Sequence, residues 1–336
     1  MSNSNDISLT ASELGNLWMT YQDKTMLMRM VEHFLEHVEE QEIQQLLTSC
    51  YDFSKQAVET ITTIFEEEGA VIPLGFTEND VYKGKPKLFD HLYDLMFLQM
   101  IDKIGISLFA LYSTMSFRKD IRNFFKQLTD NAQEELDKVT QILLEKGVLV
   151  RSPYVSMPKE VKFVQDNNYL SGYNFLNKTR ALNTIEVSLI HHAIETNLVG
   201  LQLMIGFAQV AKDKEVKEYF VKGMKLSMKI ETTLGEFLRQ DFIEPPATPA
   251  GKATDSTVAP LSDKLMMYIT NLLSTFGLGS NALGGAFCLR SDLPLTMARM
   301  ALDIYNFAKN GGEIMIKNGW MEEPPQIEDR RKLTNS

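Results

Sequence analysis

The stretch Leu265–Leu289, LMMYITNLLSTFGLGSNALGGAFCL, runs for 25 residues without a charge, with Asp263 and Lys264 just before it and Arg290 just after. Wound as a helix it has no polar face. A helix that is apolar or small all round is buried on every side, in a bilayer or at the centre of a protein. At roughly 1.5 Å per residue its length suffices for a bilayer. Its composition argues otherwise, with Asn271, Ser274, Thr275, Ser280, Asn281 and the glycines 277, 279, 284 and 285. A matching apolar stretch in the first half of the chain is interrupted by Asp102 and Lys103. An acid and a base in mid-helix suit a protein core, so no membrane insertion is expected.

Working outward from that stretch, helical periodicity recurs along the chain. Leu14, Leu17, Tyr21, Met28, Val31 and Leu35 mark one face of a helix from about Thr10 to Glu39. Further helices are expected at about Glu42–Glu67, Leu88–Phe117 and Lys119–Lys146. The same plan then repeats at Thr184–Ala211, Lys214–Arg239, Leu261–Leu289 and Leu293–Asn318. The halves align at a shift of 173, as in Glu13/Glu186, Phe34/Phe207, Ser54/Ser227, Pro73/Pro246, Leu88/Leu261 and Asp90/Asp263; Gly147/Gly319 and Pro153/Pro325 match at 172. This is a duplicated domain. The expected division is 1–150 for the first unit, 151–183 for a linker laid extended on the surface, 184–325 for the second unit and 326–336 for a tail.

Connection lengths predict the topology. In each half the first and third connections are short, giving antiparallel hairpins, while the middle one has about 20 residues. Twenty extended residues reach roughly 66 Å, more than the roughly 40 Å of a 27-residue helix. Two hairpins joined by one long crossover is the ferritin-like variant of the four-helix bundle. The fold class is therefore all-α, two tandem ferritin-like four-helix bundles. The third helix of each half has an apolar face left over, so the two are expected to meet between the bundles, with the glycines of the second letting the backbones approach.

Composition excludes several functions. Apolar residues make up 44% and charged residues 23%, as in globular proteins. The net charge is −10 with no basic stripe, which argues against nucleic acid. Cys50 and Cys288 have no redox or metal spacing. The N-terminal MSNSNDISLT lacks a signal pattern, and a cytoplasmic protein with reduced thiols is expected. The 18 methionines read as core filler.

A ferritin-like bundle raises the question of a di-metal site, which requires Glu-x-x-His on two helices. None of the five histidines has Glu three residues before it. Glu13 and Glu186 lie near the apolar faces of the first helix of each half, and the preferred role is at the helix start, where acids suit the dipole. Lys24 and its counterpart Asn197 also point inward. Asp90 and Asp263 read as caps. Glu186, His191, His192 and Glu195 form a candidate metal cluster, although the plain structural reading is preferred. His33, Glu36, His37 and Glu40 resemble a ligand ladder but fall on the polar face, so a solvated surface is expected. His91 and Asp94 read as an i, i+3 pair. No catalytic residues emerge.

ELGNLWMTYQDK near the start, VIPLGFTENDV in the first crossover, TDSTVAPLSDKLMM before the central helix and NGWMEEPPQ near the end together resemble an uncharacterised family of spore-forming bacteria in the domain-of-unknown-function series. The resemblance covers nearly the whole chain. It implies two ferritin-like repeats, allied to the spore coat protein F group, and no catalytic residues to carry over. The expectation is a non-enzymatic structural or interaction protein, with protein partners or self-association and no cofactor, associated with the forespore or spore. The alternative is an atypical metal-binding or redox protein holding iron, manganese or zinc. A third reading places a small apolar ligand near Gly277–Gly285.

Overall fold

Thr10 starts the first long helix with a reciprocal cap. Its hydroxyl accepts the Glu13 N–H, and the Glu13 carboxylate accepts the Thr10 N–H at 2.9 Å. Asn183 and Glu186 repeat the device in the second half. The computed structural model describes residues 7–172, 179–247 and 251–334. Pro249, linker residues 173–178 and the extremes of both termini lie outside the described residues.

Eight long helices follow in order: α1 (Ala11–Leu35), α2 (Gln41–Glu67), α3 (Tyr93–Thr114), α4 (Lys119–Glu145), α5 (Thr184–Val210), α6 (Lys214–Gln240), α7 (Asp263–Phe287) and α8 (Asp292–Lys317), with a five-residue α9 (Arg330–Thr334) in the tail. Helices pair as α1–α2, α3–α4, α5–α6 and α7–α8, giving two repeated helical bundles. Among the described residues the only β-type pairing is two isolated bridges. α1 stops before the expected Glu39. Glu36, Glu39 and Glu40 crowd its C-terminal end, where the helix dipole disfavours negative charge.

The two long crossovers, residues 68–92 and 241–262, pair with each other. Val81 bridges Leu261 and Phe89 bridges Ala253. The Thr254 N–H donates to Leu88 O and the Ser262 N–H to Asp80 O, both at 2.9 Å. Since 81 + 173 = 254 and 261 − 173 = 88, the Leu88–Thr254 pair is the repeat image of Val81–Leu261. Asp80–Ser262 is likewise the image of Phe89–Ala253. The duplication therefore appears in space as an internal twofold. This pairing also explains why α3 begins at Tyr93. The Asp90 carboxylate caps it through Leu92 and Tyr93 N–H, while also accepting Gly251 and Lys252 N–H from the other crossover. Asp263 is not a cap. Ser262 caps α7, and the Asp263 carboxylate binds Lys212 and Asp213 N–H in the α5–α6 turn.

One hydrophobic cluster runs through both bundles, joining Phe34 and Phe97 of the first to Phe207, Phe220 and Met266 of the second. α3 packs along α5, where Lys103 meets Glu195 at 3.1 Å. α7 reaches the first bundle through the Tyr268–Asp23 hydrogen bond at 2.7 Å and through Leu272, beside Ile101 and Leu108. The third helices thus share this interface with the first helices. The α7 glycines do not form it: Gly284 and Gly285 lie against Met297 and Pro294 of α8. Glycines elsewhere do form it: a Cβ on Gly206 of α5 would stand 2.6 Å from the Phe89 ring, and one on Gly251 of the second crossover 2.3 Å from Met96 of α3.

Residues 151–166 carry no regular secondary structure and stand open to solvent, with Tyr154 86% and Phe163 81% exposed. α3 and α5, rather than α7, are long and apolar enough to cross a membrane by length and composition. Both face the interior between the bundles.

Candidate functional site

The matched acids Glu13 and Glu186 each tie a helix start to the turn between the third and fourth helices. Glu13 Oε1 accepts Phe117 and Arg118 N–H, both at 2.7 Å. Glu186 Oε1 accepts Leu289 and Arg290 N–H at 3.1 and 3.0 Å. Arg118 pairs with Asp120 and Glu68, and Arg290 with Asp292 at 2.9 Å. Arg180 clasps both oxygens of Glu186 at 2.7 Å. Burial pushes the Glu186 carboxyl up, but Arg180 and the backbone donors outweigh it and bring it down to about 2. Burial also raises Glu13, and its backbone donors hold it below its ordinary value. Arg118-x-Asp120 and Arg290-x-Asp292, matched at a shift of 172, are the sequence signal for this latch.

The centre of the first bundle holds one polar residue from each helix: Lys24 from α1, Cys50 from α2, Asp102 from α3 and Glu135 from α4. All four are nearly inaccessible. Lys24 and Asp102 line a cavity of about 30 Å³, and the Lys24 ammonium lies 5.2 Å from the Phe109 ring centroid. Burial first, and then the Glu135 charge, push the Asp102 carboxyl well above its ordinary value, while Lys24 opposes both. Burial raises Glu135 against the pull of Lys24. The Cys50 thiol is pushed up by burial and by Glu135. In the second bundle the α1 and α2 positions become Asn197 and Gly223 at a shift of 173, and Glu135 becomes Phe307 at 172. The Phe307 ring fills the space a Gly223 Cβ would take, at 2.7 Å. A cavity of about 100 Å³ remains there, lined by Asn197, Ser227, Thr270, Asn281 and apolar side chains. Neither centre fits a di-metal site. The first combines one ammonium with two acids and contains no imidazole, and the second contains no carboxylate.

The predicted cluster on α5 is spread out. Glu186 is held in its latch, five residues before His191. His191 is buried, with Nε2 unpartnered, and burial lowers its pKa. The His192 side chain is 40% exposed and stands 4.0 Å from Glu195, whose carboxylate is taken by Lys103. His91 and Asp94 do not pair. His91 is exposed, and Asp94 holds Lys87 at 3.2 Å. Burial raises Asp94 to about 7, with Lys87 opposing it. His33 differs most from expectation. It is 1% exposed rather than solvated, because residues of the first crossover cover that face. Among the described residues, His33, Glu36 and His37 form the one group of three His, Cys, Asp or Glu side chains whose ligand atoms lie within 4.8 Å of one another.

The molecule is thus a duplicated helical-bundle protein whose two halves share one hydrophobic cluster and each keep a further cluster of their own. It belongs to the family described as "Protein of unknown function (DUF3231)", whose model matches residues 1–161 and again 171–333. No curated protein matches the chain. Among solved structures, a chain from Bacillus halodurans C-125, provisionally described as a spore coat protein, is 17% identical. It aligns with a TM-score of 0.42 over 45% of this chain and 98% of its own.

Proposed function

We propose that this chain is a non-enzymatic structural or interaction protein on a duplicated ferritin-like scaffold. The observation that carries this reading is where three of the four stretches that mark the family resemblance meet. Gly75 of VIPLGFTENDV gives its carbonyl to Lys264 at 3.0 Å, and its N–H goes to Glu322 of NGWMEEPPQ at 2.8 Å. Asp80 of the same stretch takes the Ser262 hydroxyl at 2.7 Å. These residues bind one another at the join of the two bundles. The linker, with Tyr154, Met157, Val161 and Phe163 exposed, supports an interaction role. Spore association rests on the sequence resemblance.

The test is aerobic Fe(II) oxidation by the full chain and by a Glu13→Ala, Glu186→Ala variant, alongside immunoblotting of coat extracts from the sporulating host. The expected results are a rate equal to buffer for both proteins and a signal in the coat fraction. Catalysed oxidation that disappears in the variant would overturn the non-enzymatic reading. Absence from spores would overturn the association with them.

A further inference from the structure

The end of α1 gathers side chains suited to a cation. His33 lies in the last turn of α1, and Glu36 and His37 lie in the turn that follows it. One ligand atom from each lies within 4.8 Å of the other two. The two imidazoles meet edge-on, with centroids 5.2 Å apart and planes at 76°. His33 Nδ1 and His37 Nε2 are both buried with no hydrogen-bond partner. Leaving a buried polar atom unpaired is costly, and native proteins rarely tolerate it without a reason. Glu36 Oε2 accepts the Gly84 N–H at 3.1 Å, which orients the carboxylate and leaves Oε1 available.

We propose that His33, Glu36 and His37 form a binding site for a first-row divalent cation, with zinc the best match. Two imidazole nitrogens and one carboxylate oxygen are a zinc donor set, with a fourth position for water. Lys87 is the positive group facing the site, and Asp94 pairs with it. The site lies roughly 13 Å along α1 from Lys24, at 1.5 Å per residue. It is therefore independent of the reading of the bundle centres. A bound cation would fasten the end of α1 to the first crossover at Gly84.

The experiment uses untagged, metal-stripped full chain titrated with Zn²⁺ against a chromophoric chelator. Glu36 is exposed and His37 half-buried, so Glu36→Gln and His37→Gln should keep the fold, which far-ultraviolet circular dichroism checks. The expected result is one equivalent of bound zinc, weakened at least about tenfold in each variant. Zinc should also raise the melting temperature of the parent but not of His37→Gln. His192→Gln should bind like the parent. Failure to bind one equivalent, undiminished binding in His37→Gln, or loss of binding in His192→Gln would each overturn the assignment.

Discussion

Lys24 is the one ammonium buried together with two carboxyls, Asp102 and Glu135. Burial raises both carboxyls, and the Lys24 charge opposes that rise in each. Removing the cation leaves an acid pair with no counter-charge, the costly way to break a buried ionic group. Lys24→Met should therefore destabilise the chain by about 3–5 kcal/mol, read as a shift in the urea midpoint at constant m-value. The equivalent Asn197→Met change, in a bundle with no carboxylates at its centre, should cost much less. Equal losses in both variants would show that Lys24 acts only by packing.

Glu186 couples elements rather than single groups, tying the start of α5 to the turn between α7 and α8 and to Arg180. Its carboxyl lies near 2 in the folded protein against an ordinary 4.5. A lowered carboxyl contributes fully above the unfolded value and loses its contribution as pH falls from about 4.5 towards 2. Stability should drop across that window, and Glu186→Gln should flatten the drop while lowering stability at pH 7 by about 1–3 kcal/mol. An unchanged acid limb in Glu186→Gln would contradict the latch. The acids of the latch were legible from the 173-residue repeat, as were the eight helices from their periodicity. The arginines were not, because the register slips to 172 in the turn after the third helix, which hides Arg118/Arg290 from an alignment at one shift. His33 was misread for a different reason. Periodicity assigns faces within one helix and does not register that the first crossover folds back over the polar side. The helix start at Tyr93 was likewise set by Asp90 binding the other crossover, a contact between residues 161 and 162 positions apart.

The two bundles share one hydrophobic cluster, a pair of bonded crossovers and a segment after α8 that returns to the first crossover through Glu322. Neither half can lose its fold without exposing apolar surface on the other, since Phe89 of the first half sits in the space left by Gly206 of the second. Three of the four stretches that mark the family bind one another in this join, as a scaffold role requires. Differential scanning calorimetry of the full chain tests that claim most directly. The prediction is a single transition whose calorimetric and van't Hoff enthalpies agree, shifted down as one peak by Gly206→Leu. Two separate transitions, only one of which moves in that variant, would contradict it.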